Sequence, residues 1–515
     1  MFAASLIGAR VLAAAADTWT RPTLDYHALL PEILLAGLII VVLVADLFLP
    51  ERSKWLTSTI AGLGLIGCAI PLITLALSKH DGVRAARSMF GGAYVVDDFS
   101  LVLKALFLIA GYVVILLSTN YIEEGGYYQG EYYVLLLTAI LGMVMMASSR
   151  DLVSIFIALE FLSIPAYMLA AWRKRDTKSN EAGVKYFLLG VFASAVMLYG
   201  MSLLYGETGT TLLSGIRTRL TAEGRTSALT ALAVVFVVIG FAFKVSAVPF
   251  HTWAPDTYEG APTPITAFLS VASKAAGFVA LVVLLVVGFA PAKDVWQPFV
   301  WALSALSMTV GNLLALRQKN IVRMLAYSSV AQGGFILMPL AVAGSSDIQV
   351  GRDSLTAIVT YLIVYAAMNL GAFAVVMAVA RRTRSGDIAS FGGLFSYAPG
   401  MALAMTLYLA ALAGIPPAGG WIAKFYVFKA ATAGGSWGTV LAAIGVVNSV
   451  IAFAYYGNVL REMWMRPAPA GDTSPVRVPQ SLGIALGITA VVTLAVGILP
   501  NLVLRFGDIA QLLRS

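Results

Sequence analysis

The chain has 515 residues, 59% of them hydrophobic and only 12% charged. Soluble proteins average roughly 45–50% apolar and ~25% charged residues. A domain this apolar could not cover its surface with polar groups, which excludes a water-soluble enzyme. The 34 Lys+Arg against 26 Asp+Glu give a net charge of +8, but the basic residues fall in short scattered clusters, not a stripe, which excludes a nucleic-acid binder.

A helix crossing the ~30 Å hydrocarbon core of a bilayer needs about 20 mostly apolar residues. In chain order such segments fall at 29–49, 55–77, 99–118, 132–148, 152–171, 181–204, 227–248, 264–288, 296–315, 320–343, 354–380, 401–416 with 420–432, 437–460 and 480–499. The fold class is therefore an all-α polytopic membrane protein with about fourteen transmembrane helices. Ahead of them, residues 1–16 hold a short apolar run ending in small residues, loosely like a secretory signal. Arg10 interrupts that run, so the reading is an N-terminal extension over residues 1–28.

Several features point to packing, not chemistry. Gly62-Leu-Gly64-Leu-Ile-Gly67 matches the dinucleotide-binding spacing but lies inside a span with no preceding strand, so close helix packing explains it better. Tyr127, Tyr128, Tyr132 and Tyr133 read as an interfacial aromatic belt. The single cysteine, Cys68, excludes an intrachain disulfide and a Cys-ligated cluster. The histidines, His27, His80 and His251, are too far apart in sequence to suggest a metal cage. The densest basic clusters are Arg173-Lys174-Arg175 with Lys178, Arg317 with Lys319 and Arg323, and Arg381-Arg382 with Arg384. Placing these inside puts both termini on the outer side.

An ionisable residue at membrane depth is costly and marks a functional site by default. Glu160 is the acidic residue near mid-span. Glu32 and Asp46 lie near the ends of the first span and reach the interface; Lys104 and Lys429 read as snorkelling side chains. Lys185 follows Glu181 by one helical turn. Lys244, Lys274 and Lys424 lie well inside apolar stretches, and one carboxylate cannot neutralise them all. Such an excess of buried cation suggests groups whose protonation changes during work. Pro249 breaks a helix five residues after Lys244, and the run Gly414-Ile-Pro416-Pro417-Ala-Gly-Gly420 breaks another just before Lys424. Two interrupted helices at matching positions, each beside a buried lysine, are the sign of an inverted-repeat transporter. His251, beside the first break, is read as a proton relay or as a hydrogen-bonded structural histidine.

The stretch Lys244-Val-Ser-Ala-Val-Pro-Phe-His-Thr-Trp253, continued by Asp256-Thr-Tyr-Glu-Gly260 and Lys274-Ala-Ala-Gly-Phe278, resembles the antiporter-like subunits of respiratory complex I. The Asp256–Gly260 wording resembles their subunit N branch; the L and M branches usually read Asp-Ala-His there. Ala158-Leu-Glu160-Phe-Leu-Ser163, Glu181-Ala-Gly-Val-Lys185-Tyr-Phe-Leu-Leu-Gly190, Asn320-Ile-Val-Arg-Met-Leu-Ala-Tyr-Ser-Ser329 and the Gly414–Lys424 block extend the resemblance over roughly residues 28–500.

The resemblance implies a proton-translocating module of the membrane arm of NADH:quinone oxidoreductase, most naturally in a bacterial plasma membrane. It implies peripheral helices over 29–131, a first five-helix repeat over 132–288, an inverted second repeat over 296–460, and a last helix with a short tail over 480–515. By motif, Glu160 pairs with Lys244, Lys185 modulates that pair, Lys274 is the central relay and Lys424 the exit-side lysine. NADH, flavin, iron–sulfur clusters and quinone are expected in other subunits, with no cofactor in this chain. Subunits K and M are the expected neighbours, together with membrane lipid. The long lateral helix of subunit L is not expected here, since only a short segment follows the last span. Loops 78–98 and 205–225 match no pattern. Two rival readings use the same residues: a subunit of a multisubunit cation/proton antiporter, and a scaffold that transports nothing.

Overall fold

In hydrocarbon each unpaired backbone N–H or C=O costs several kcal/mol, so a spanning chain folds into helices or a closed barrel. The computed structural model, which describes residues 24–78, 86–127, 130–471 and 473–504, takes the helical solution. Spans one to six are Tyr26–Phe48, Trp55–Leu77, Asp98–Glu124, Gly130–Ser148, Leu152–Ala170 and Thr177–Thr208. Spans eight to eleven are Thr263–Gly288, Lys293–Ala315, Ile321–Leu340 and Ile348–Thr383; thirteen and fourteen are Ser436–Met465 and Gln480–Ile498. These twelve cross as single helices. The seventh is split into Ala228–Lys244 and Trp253–Gly260, and the twelfth into Pro399–Ala413 and Gly419–Ala433. The fourteen crossings agree with the fold class read from the sequence. Residues 1–16, His80 and Tyr128 lie outside the described residues.

Helix starts follow from capping side chains, which satisfy backbone N–H groups left free in the first turn. Asp97 caps span three in a box with Ser100, Asp151 caps span five, Asp176 span six, Asn320 span ten and Asp347 span eleven. The described parts of the loops without a sequence pattern hold regular structure. Loop 78–98 carries an antiparallel hairpin of β1 (Arg87–Met89) and β2 (Tyr94–Val96), and loop 205–225 carries the helix Leu213–Glu223.

Spans four to eight and nine to thirteen follow the same plan: two helices, a long helix, a split helix and a long helix. A backbone bridge recurs in both at the same place. Asp151, before span five, pairs with Leu212 after span six, and Asn320, before span ten, pairs with Asp387 after span eleven. Five crossings is an odd number, so the two bridges fall on opposite sides of the membrane. The centre of the molecule runs along span eight, whose most apolar window is 100% buried, against 28% for span one and 33% for spans six, thirteen and fourteen.

Burial overturns two readings of the sequence. Tyr132 and Tyr133 are not an interfacial belt: both are buried, Tyr132 hydrogen-bonded to Ser118 at 2.8 Å and edge-on to Trp172. Span four is enclosed by spans one, three and five, so its aromatic ring pair fills core space. Lys104 and Glu32 do not reach the interface. Lys104 is fully buried and its Nζ lies 2.6 Å from Glu32 Oε1, which also accepts from Tyr94 Oη at 2.5 Å. The hairpin and spans one and three close over this pair. By contrast Asp46 pairs with Lys54 at 3.0 Å, and Lys429, half exposed, pairs with Asp353 at 3.1 Å. Gly64 packs on span one so closely that a Cβ would sit 2.1 Å from Leu38 Cδ1, whereas Gly67 has open space beside it.

Breaking a buried ion pair from one side typically costs about 3–5 kcal/mol, while replacing both charges with apolar groups is often neutral. Lys104→Met alone should therefore lower the unfolding midpoint in detergent by several degrees, and adding Glu32→Leu should recover most of the loss. A thermal unfolding series on the three proteins reads this; a single variant as stable as the parent would contradict an ionised pair.

A buried polar axis as the candidate functional site

Span five is set by close packing on span four. A Cβ on Gly142 would fall 2.6 Å from Leu162 N and 2.7 Å from Ala158 O, so only glycine permits this approach. Glu160 and Ser163 lie one turn apart and share a helix face. Glu160 accepts from Ser194 Oγ of span six at 2.8 Å. Lys244 is the last residue of the first half of span seven, and its buried Nζ donates to Ser163 Oγ at 2.9 Å and Tyr186 Oη at 3.3 Å. Among the described residues no direct ion pair joins Glu160 to Lys244. Lys185 stands at the rim instead, bonded to Glu181 at 2.6 Å and Asp256 at 2.8 Å.

The break after Lys244 is stitched, not merely open. Val248 N donates to Ser307 Oγ at 2.9 Å, and Trp253 Nε1 donates across the gap to Phe243 O at 3.0 Å. Such capture by neighbouring helices is what lets proline sit at membrane depth. His251 lies in this turn, largely buried, its Nδ1 without a hydrogen-bond partner and its ring centroid 6.4 Å from that of Tyr327.

Lys274 follows directly on a π-helical turn, Leu269–Ser273, in span eight. Such turns are frequent at functional sites because the widened backbone re-aims the side chains beyond it. Its Nζ donates to Ser329 O at 2.8 Å and Ser329 Oγ at 2.5 Å on span ten. One turn before it, Ser270 accepts from Asn369 Nδ2 of span eleven at 2.9 Å. Span ten carries the next links. Ser328 and Tyr456 share a hydrogen bond of 2.5 Å, Gln332 donates to Tyr456 at 3.3 Å and to Leu412 O at 3.0 Å, and Tyr361 donates to Gln332. Leu412 sits at the end of the first half of span twelve, and the adjoining carbonyl, Ala413 O, accepts from Lys424 Nζ at 2.8 Å. Lys424 also reaches Ser449 at 3.5 Å and lies over the Phe335 ring at 4.7 Å.

The structure thus buries Lys244, Lys274 and Lys424 among polar groups of spans five, six, ten, twelve and thirteen, while Lys185 stands apart on Glu181 and Asp256. Among the described residues, Lys244, Lys274 and Lys424 have only neutral oxygens as hydrogen-bond partners. That separates them from Lys104, Lys185 and Lys429, each held by a carboxylate. A carboxylate at ion-pair distance favours the charged lysine more strongly than neutral hydroxyls and carbonyls do. The arrangement is suited to passing a proton and contains no built ligand set. Among the described residues no three His, Cys, Asp or Glu side chains could hold a metal ion. Sequence reading missed Ser163, Tyr186, Ser194, Ser329, Gln332, Tyr361, Asn369 and Tyr456. Their one signal was polar residues recurring within apolar spans, as in Tyr-Ser-Ser at the end of the 320–329 stretch.

Over residues 149–452 the sequence matches the family described as NADH:quinone oxidoreductase/Mrp antiporter, TM. It is 39% identical over 489 residues to the NADH-quinone oxidoreductase subunit N of Trichlorobacter lovleyi, which covers 94% of this chain and 97% of that one. A chain of respiratory complex I from Thermus thermophilus, solved with bound aureothin, superposes with a TM-score of 0.74 at 32% identity, covering 92% of this chain and 98% of that one. A chain of the Mrp complex from Dietzia sp. DQ12-45-1b superposes with a TM-score of 0.80 at 21% identity, covering 95% and 97%, a likeness of fold.

The partner chemistry predicts an order of reactivity. An amine-directed reagent applied to the folded protein in detergent should modify Lys178 and Lys429 readily and Lys185 more slowly, and spare Lys104, Lys244, Lys274 and Lys424. Peptide mass spectrometry reads the order; labelling of Lys274 as fast as Lys429 would contradict the enclosed axis.

Proposed function

We infer that this chain, which belongs to the NADH:quinone oxidoreductase/Mrp antiporter membrane family, is a membrane subunit of NADH-quinone oxidoreductase that carries protons while electron transfer takes place in other subunits. The observation that carries this reading is the set of three buried lysines bonded only to neutral oxygens. The near full-length relationship to a subunit N supports the choice of complex.

Glu160 and Lys244 are the switching pair in this proposal. The bonds of Glu160 to Ser194 and of Lys244 to Ser163 and Tyr186 support a separated arrangement as one of its two states. A carboxylate brought near a buried ammonium strengthens its hold on the proton, and withdrawal weakens it. The released proton passes by way of His251 to Lys274, then past the Ser328, Tyr456 and Gln332 junction to Lys424. Moving one charge against the membrane potential costs ~2.3 kcal/mol per 100 mV. A change of two units in proton affinity is worth about 2.7 kcal/mol, so one switched lysine supplies work of the required size.

In the same proposal, spans four to eight and nine to thirteen form two inverted units. The recurring bridges at Asp151 and Asn320 support it. The basic clusters at 173–178, 317–323 and 381–384 face the inside of a bacterial plasma membrane and both ends face out, following the positive-inside bias. NADH, flavin, iron–sulfur clusters and quinone are held by other subunits, and subunits K and M adjoin this chain.

The test begins with the tagged chain extracted in mild detergent. Co-purified subunits with NADH-driven quinone reduction support the reading; a stable complex without that activity, exchanging sodium for protons in vesicles, overturns it. Within an active complex, Glu160→Gln and Lys244→Met should each lower proton pumping at least about tenfold, equivalent to ~1.4 kcal/mol. Lys429→Met should leave it near the parent level. Equal pumping by all three variants would sink the residue assignment.

A further inference from the structure

We propose that Arg323 is a positioning residue for Lys244, acting through the half-helix Trp253–Gly260, so that span ten holds both Lys244 and Lys274. The proposal rests on the proton-carrying reading above.

The half-helix has eight residues and its N-cap makes no side-chain hydrogen bond. Isolated helices shorter than about 12–15 residues are marginal, so tertiary contacts must hold this one. At its first residue, Trp253 stacks on Tyr186 with ring centroids 4.5 Å apart and planes at 10°, and its Nε1 ties to Phe243 O. Tyr186 is the ring whose hydroxyl meets Lys244, and Phe243 is the residue before that lysine. The placement of Trp253 therefore bears on one side chain that meets Lys244 and on the backbone just before it.

Along the same helix, Asp256 and Glu259 lie three residues apart on one face. Arg323 Nη1 donates to Asp256 Oδ1 and to Glu259 Oε2, each at 2.9 Å. Lys185 takes only Asp256, at 2.8 Å, and Lys178 only Glu259, at 3.6 Å. Among the described residues Arg323 is the one cation bonded to both carboxylates. A cavity of about 120 Å³ lies among these side chains. Arg323 and Asp256 are 28% and 37% exposed, so the clamp lies at the protein surface.

Arg323 belongs to span ten, not to the helices around Lys244. Six residues further along that span, Ser329 takes the ammonium of Lys274. Six residues span about 9 Å of helix. A small shift of span ten thus acts on Lys274 directly and on Lys244 through the half-helix. The same contacts assign Lys185 a role through Asp256, in place of direct approach to Lys244.

The experiment uses membrane vesicles carrying the complete complex, reading protons moved per NADH oxidised alongside the amount of assembled complex. Arg323→Gln should assemble yet move about fivefold fewer protons per NADH, the size of a typical coupling between contacting residues. Arg323→Lys should recover part of that loss, since one ammonium reaches one carboxylate well. Asp256→Asn added to Arg323→Gln should cost little more than either change alone. An unchanged ratio in Arg323→Gln while Lys244→Met loses pumping overturns the clamp and leaves the proton reading standing; fully additive losses with Asp256→Asn also overturn it. Pumping retained in Lys244→Met overturns both. Should Arg323→Gln not assemble, Glu259→Gln, which keeps the Arg323–Asp256 contact, carries the test: a lowered ratio supports the clamp and an unchanged one overturns it.

Discussion

A buried ammonium must be met either by a charge or by several neutral dipoles, and this molecule uses both answers in different places. Glu32 meets Lys104 with a carboxylate, in a pocket closed by spans one and three and the hairpin. Lys244, Lys274 and Lys424 are met by hydroxyls and carbonyls. The first answer fixes a charge and suits a structural joint. The second holds the ammonium by dipoles alone, in a buried setting where a change of charge has a large electrostatic effect.

One of these neutral acceptors, Ala413 O, and two further carbonyls nearby come from the two split helices. A continuous helix spends its carbonyls on its own amides, so it offers few to a neighbour. At the breaks, carbonyls near the end of a half-helix accept from side chains outside the helical ladder. Phe243 O takes the Trp253 indole, Leu412 O takes Gln332, and Ala413 O takes Lys424. The prolines and glycines that interrupt spans seven and twelve thus create polar groups where lipid-facing helices have none. Neighbouring spans then close the loose ends, as Ser307 does for Val248 N.

Span ten joins the two halves of the molecule. Its residues touch Lys274 through Ser329, the junction toward Lys424 through Ser328 and Gln332, and the half-helix beside Lys244 through Arg323. One helix therefore has a hand in each lysine site, although none of the three lysines lies on it. Rigid helices packed at protein density transmit such displacements because their interiors are not compressible.

The sequence by itself determined the number of crossings, the two breaks and that Lys244, Lys274 and Lys424 are buried. These are consequences of local composition, since about twenty apolar residues span a bilayer and a proline ends a helical hydrogen-bond ladder wherever it stands. It did not determine who meets whom. Lys104 read as a snorkelling side chain because nothing local reveals that Glu32, in a helix two crossings earlier, faces it. Tyr132 and Tyr133 read as interfacial because enclosure by three other helices has no local signature. Glu160 and Lys244 read as a pair, yet each is taken by a nearer hydroxyl, Ser194 and Ser163. Partner choice was left to the tertiary structure because ion pairs and hydrogen bonds are decided over about 3 Å, a distance set by how the helices pack.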